Sequence, residues 1–157
     1  MKNIQNQVQG NPSSKDTSRI LKAIRVLIKT EKYRQQARLM LDDIDASNLI
    51  PKHKLEYLYI EGRYYYYMFK HQGEIEALEW SSDYLDDMAT YAYDHKIPTE
   101  LPMVYTRACV KFLLANEVWD EERKPWLLNK ARHIIETSLR FNPENESFLW
   151  LQKELSA

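Results

Sequence analysis

The sequence predicts an all-α fold of about seven helices arranged as antiparallel hairpins. Apolar residues recur at three- and four-residue spacing along most of the chain, and no segment shows a run of two-residue alternation. Only 3 glycines occur in 157 residues. Sheet proteins use glycine at tight turns, so this scarcity favours helices joined by few turns.

Residues 1–15 are polar, with Gly10, Pro12, Ser13 and Ser14, and read as a flexible leader. Residues 16–157 read as one helical domain. In the first helix Ile20, Leu21, Ala23, Ile24, Leu27 and Ile28 alternate with Arg19, Lys22, Arg25 and Lys29, which gives an apolar face and a basic outer one. Asp16 or Thr17 is placed to cap it. A second helix follows Thr30-Glu31-Lys32 and reaches about Ala46, with Tyr33, Ala37, Leu41 and Ile44 on its apolar face and Met40 beside them.

The third helix is expected from Pro51, which suits a first helical position because it has no N–H to leave unsatisfied, to His71. Gly73 closes it. The fourth runs from Glu74 to about Asp94, and Lys96-Ile97-Pro98 breaks the chain. The fifth runs from about Thr99 to Val118, before a turn at Asp120 to Lys124. The sixth runs from near Pro125 to Phe141, and Asn142 and Pro143 are expected to cap and open a short seventh ending at Leu155. The short connections pair helices 1–2, 3–4 and 5–6.

The sixth helix carries Ala131, Ile135 and Ser138, with Pro143 beyond it. This small–bulky–small–proline spacing resembles the second helix of a tetratricopeptide repeat. Leu58, Ile60, Gly62 and Tyr65 of the third helix look like the first helix of that family, where a glycine sits at the helix crossing. Leu21, Ile24, Ile28, Ala37 and Leu41 fit the same pattern more loosely. The hairpins run longer than the family's repeat of about 34 residues, and the fourth helix offers only Ala77 as a small contact. A generic helical bundle is the plainer alternative.

The resemblance implies a right-handed array of stacked hairpins that binds other proteins. The first helix of each hairpin would line a groove, with Tyr59, Arg63, Tyr66 and Tyr67 of the third helix and Tyr105 and Phe112 of the fifth facing it. The seventh helix would be a solvating cap. The implied partner is another protein, presenting a peptide or a helix. Independently, Tyr64 to Phe69 is a run of six aromatic or apolar residues that wraps right round a helix. It reads either as a helix buried on several sides or as a Tyr-lined groove beside Arg63.

Charge is segregated. Lys15, Arg19, Lys22, Arg25, Lys29, Lys32, Arg34 and Arg38 face only Asp16 and Glu31 between positions 15 and 40, whereas positions 72–94 hold seven acids and no base. Two solvated helix faces account for this; head-to-tail self-association, and so a homo-oligomer, is the alternative. The net charge of −1 gives no general field for nucleic acid or membrane, and neither is expected as a partner.

Asp83 and Asp87 lie one turn apart and could bridge a Mg²⁺ ion in a small helical enzyme. No second strong acidic cluster supports that, and Asp42, Asp43 and Asp45 sit at a helix end. His53, His71, His95 and His133 form no close pair, and His71 and His95 suit helix C-termini as favourable charges. Cys109 excludes an intramolecular disulfide. Nothing in the polar start from Met1 to Asp16 resembles a signal peptide or anchor, so the expected location is the cytoplasm. The reading is a non-enzymatic adaptor without cofactor or metal; a chaperone for a secreted or unstable client is its nearest alternative.

Overall fold

The computed structural model describes residues 13–157, so most of the expected leader lies outside the described residues. Seven α-helices and no strand occur among them: α1 (Ser14–Leu27), α2 (Arg34–Asp42), α3 (Pro51–Gln72), α4 (Ile75–Asp94), α5 (Leu101–Glu117), α6 (Arg123–Phe141) and α7 (Glu146–Ser156).

The helix ends follow side-chain chemistry. Ser13, not Asp16 or Thr17, caps α1: its hydroxyl accepts from the Asp16 N–H at 3.2 Å and donates to the Asp16 carboxylate at 2.6 Å. That reciprocal pairing satisfies a first-turn donor and starts the helix earlier. The second helix is shorter than expected. A 3₁₀ turn (Glu31–Tyr33) precedes it, and the chain leaves helix before Asp45. The Asp45 carboxylate accepts from the Ser47 N–H, the Ser47 hydroxyl and the Asn48 amide, a local alternative that competes with helical bonding. Asp120 starts α6 before Pro125, accepting from the N–H groups of Glu122 and Arg123. Asn145, not Asn142, caps α7, accepting from the Phe148 N–H at 3.2 Å.

Pro51 opens α3, and Gly73 ends it with φ 71°, a left-handed conformation that glycine adopts without strain. The end of α4 has the same geometry without glycine. Lys96 takes φ 54°, while the Ile97 N–H reaches the Ala92 carbonyl and the Lys96 N–H reaches that of Tyr93. These two bonds satisfy the last carbonyls in a Schellman arrangement, with a lysine in the left-handed position.

Successive helices pack on one another. Contacts are most extensive between α3 and α4 and between α5 and α6; α4 also packs on α5, α6 on α7, and α1 on both α2 and α3. The core divides into three clusters. Leu21, Ile24, Ile28, Ala37, Leu41, Ile60 and Tyr64 form the first. Leu55, Tyr59, Leu78, Leu85, Met88, Val110 and Leu114 belong to the second, and Ala108, Ile134, Ile135, Phe148 and Leu151 form the third. Helices α3 and α5 each contribute to two clusters, which explains why their apolar residues are not confined to one face.

Gly62 marks the tightest approach of α3 and α4. A Cβ there would lie 2.7 Å from Leu85, and the buried Ser81 hydroxyl donates to the Gly62 carbonyl at 2.7 Å. Tyr33, expected on an apolar face, is 41% exposed. Its neighbour Arg34 is buried instead, donating to His71 Nδ1 at 2.8 Å. His71, in the last turn of α3 as expected, therefore also makes a guanidinium–imidazole contact. The outer face of α7 leaves Leu149 and Trp150 about half exposed, so it is less polar than the expected solvating cap.

Candidate functional site

Helix α3 brings Tyr59, Arg63 and Tyr67 into one ladder, because residues four apart stack on a helix. The Arg63 guanidinium lies over the Tyr59 ring at 5.4 Å and the Tyr67 ring at 5.3 Å, and donates to the Tyr67 hydroxyl at 3.0 Å. Tyr59 does not line a groove. It is 2% exposed, with Arg25 of α1 over its ring and its hydroxyl 3.3 Å from the Pro102 carbonyl and Thr106 Oγ1 of α5. Helices on both sides cover it.

Tyr66 joins this ladder, its ring meeting that of Tyr67 edge-to-face at 5.3 Å. Tyr66 packs against the second cluster, with Lys70 over its ring. Tyr105 and Phe112 pack against the third, and Tyr105 meets Phe148 edge-to-face at 5.5 Å. Burial pushes the Tyr66 and Tyr105 hydroxyls and the Cys109 thiol above their ordinary values. Of the expected set, Arg63, Tyr66, Tyr67, Tyr105 and Phe112 are half-buried, and only Tyr59 is closed off from solvent.

Two buried ionic networks escaped the sequence reading. Arg38 of α2 forks onto Glu61 at 2.7 and 2.8 Å, and Glu61, 1% exposed, also accepts from the Tyr57 hydroxyl at 2.9 Å. Those bonds raise the Arg38 pKa further. The second network lies on α4. Lys111 of α5 is 2% exposed and donates to Ser82 Oγ at 2.6 Å and to Asp86, which also accepts from Arg107 at 2.9 Å. Burial pulls the Lys111 pKa down. A lysine between Val110 and Phe112 carries no sequence mark of burial, since lysines on helices usually face water.

The acids of α4 thus divide. Asp86 is held by Arg107 and Lys111, and Glu79 by Arg123 of α6. Asp83 and Asp87 stay exposed, and partial desolvation and then Glu79 push the Asp83 carboxyl up. No group of three or more His, Cys, Asp or Glu side chains converges as metal ligands among the described residues.

The Glu79–Arg123 pair ties the N-terminal ends of α4 and α6. Toward their C-terminal ends a groove of about 610 Å³ opens between them. Met88 and Ala92 of α4, Leu101 and Val104 of α5, and Ile134 and Phe141 of α6 line it. Arg107, His133 and Asn142 add polar groups. Two aromatic rings at its edge face solvent, Tyr93 at 85% and Phe141 at 80% exposure. Sequence reading missed this groove, because each half of its lining looks like an ordinary apolar helix face.

Among the described residues no helix is long and apolar enough to cross a membrane. No protein-family model matches the chain, no curated protein matches its sequence, and no solved structure matches its fold.

Proposed function

We propose that the chain is a non-enzymatic protein-interaction module of tetratricopeptide-like stacked hairpins, and that it takes an amphipathic helix of a partner in the groove between α4 and α6. The observation that carries this is the apolar groove edged by Tyr93 and Phe141. Exposed aromatic rings beside an apolar floor, with few polar groups at the margin, are what helix-in-groove recognition uses. Small residues at close helix approaches, Gly62 against Leu85 and the fully buried Ala108 and Ala131, support the repeat-like reading. So do the contacts of α1 with α3, α3 with α5 and α5 with α7.

Photo-crosslinking in the native host tests the reading. A benzophenone amino acid at position 93 or 141 is expected to capture a discrete partner, and the same probe at Lys153 on α7 is not. Tyr93→Ser with Phe141→Ser is expected to abolish capture by a probe at His133 without altering the circular dichroism. Equal capture at all positions would sink the groove assignment.

A further inference from the structure

A second pair of surfaces is complementary within the chain itself. On α1 the exposed Lys15, Arg19, Lys22 and Val26 share one face, with Lys29 in the turn beyond. Their spacing of four, three and four keeps them within about 40° of one line, opposite the buried Leu21 and Ile24. On α4 the exposed Glu76, Trp80, Asp83 and Asp87 form an equivalent stripe that extends to Asp94, opposite the buried Ser81, Leu85 and Ala92. None of Lys15, Arg19, Lys22 or Lys29 forms an ion pair among the described residues, and neither do Glu76, Asp83, Asp87 or Asp94. The paired acids, Glu79 and Asp86, lie on the flank of α4 that meets α5 and α6.

We propose that these stripes join copies of this chain head to tail, α1 of one molecule lying antiparallel on α4 of the next. Read in opposite directions, the stripes fall in register: Lys29 meets Glu76, Val26 meets Trp80, Lys22 meets Asp83 and Arg19 meets Asp87. Both follow the alternating three- and four-residue spacing of helices packed side by side. Val26 at 67% and Trp80 at 42% exposure supply an apolar centre between the charges. Within one molecule α1 packs on α2 and α3 while α4 packs on α3 and α5, and no ion pair joins the stripes. Complementarity between different faces of the same chain is heterologous, so it propagates as an open chain or closes as a ring. Exposed ion pairs are individually weak and screened by salt, so the assembly is salt-labile. This inference is independent of the groove between α4 and α6.

Sedimentation velocity of the full chain tests it at about 0.01 M and about 1 M NaCl, where the screening length falls from about 30 Å to about 3 Å. At low salt the weight-average mass is expected to climb with concentration above that of one chain, and at high salt to return to it. Arg19→Glu with Lys22→Glu, and separately Asp83→Lys with Asp87→Lys, are each expected to stay monomeric at low salt. An equimolar mixture of the two is expected to regain the mass, because every reversed stripe again meets its opposite. The neutral pair Arg19→Gln with Lys22→Gln, checked by circular dichroism, separates lost attraction from lost folding. A wild-type chain that is monomeric at both salts overturns the proposal. So does association that survives either reversal, or a mixture that stays monomeric.

Discussion

The aromatic run of α3 and the aromatic rim of the α4–α6 groove teach opposite lessons about the same residue types. Tyr64 to Phe69 looks too apolar for one helix to hide, yet Tyr64 is buried and every other member of the run is at least half-buried. Helix α3 meets α1, α2, α4 and α5, so almost every direction around it has a neighbour. Tyr93 and Phe141 lie outside any aromatic run and would pass for core, yet they are among the most exposed of the large hydrophobic side chains described. They sit near the C-terminal ends of α4 and α6, at the edge of the groove between them. Neighbour number, not local composition, separates an aromatic that holds the fold from one that is free to bind.

Breaking the comparison is simplest by truncating one ring of each kind. Tyr59→Ala is expected to lower the unfolding free energy by about 3–5 kcal/mol, the range for large buried aromatics, whereas Tyr93→Ala is expected to stay within about 0.5 kcal/mol. Urea melts followed by circular dichroism read both, and equal effects would show that exposure does not separate the two regions. A smaller effect is expected where α3 meets α4. Gly62→Ala gains helix propensity but drives a Cβ into Leu85 Cγ, so a net loss of about 1–3 kcal/mol is expected. A gain in melting temperature would mean that the two helices are free to part there.

At the end of α4, Lys96→Gly is expected to stabilise by about 0.5–1 kcal/mol, because glycine accepts the left-handed backbone that lysine takes at a cost. A thermal melt that moves down instead would show that the lysine side chain supports the bend beside Tyr93. The smallest expected effect belongs to Asp83. Its carboxyl is raised above 3.8 by partial desolvation and then by Glu79, so the folded state holds more protons than the unfolded state just above that value. That contribution favours folding at low pH and is lost as pH rises through the raised pKa. Asp83→Asn is expected to flatten stability against pH in this window, and an unchanged slope in a pH series of urea melts would remove the assignment.

Much of the fold was legible because helix signals are local. The all-α class and the breaks at Gly73 and Pro98 follow from periodicity and from what glycine and proline do to a backbone, while the close approach at Gly62 was implied only by the resemblance to a repeat family. Where caps compete, the reading slipped by a turn, as at Ser13 and Asn145, because several polar residues stand close together and geometry selects one. The candidate site was less legible. The resemblance put Tyr59, Arg63, Tyr66 and Tyr67 of α3 on a groove, but nothing in the sequence says that α1 and α5 close over Tyr59. Arg38 and Glu61 are 23 residues apart and Lys111 and Asp86 are 25 apart, so neither pairing has a local signature.

By itself the sequence determined the helices and the segregation of basic α1 from acidic α4, since each depends on residues within a few turns. Only the tertiary structure decided which faces were left uncovered. It buried Tyr59 and Lys111, paired Asp86 and Glu79 but not Asp83 and Asp87, and left a groove open between α4 and α6. Burial is a property of what packs against a residue, and that is set by helices distant in the chain.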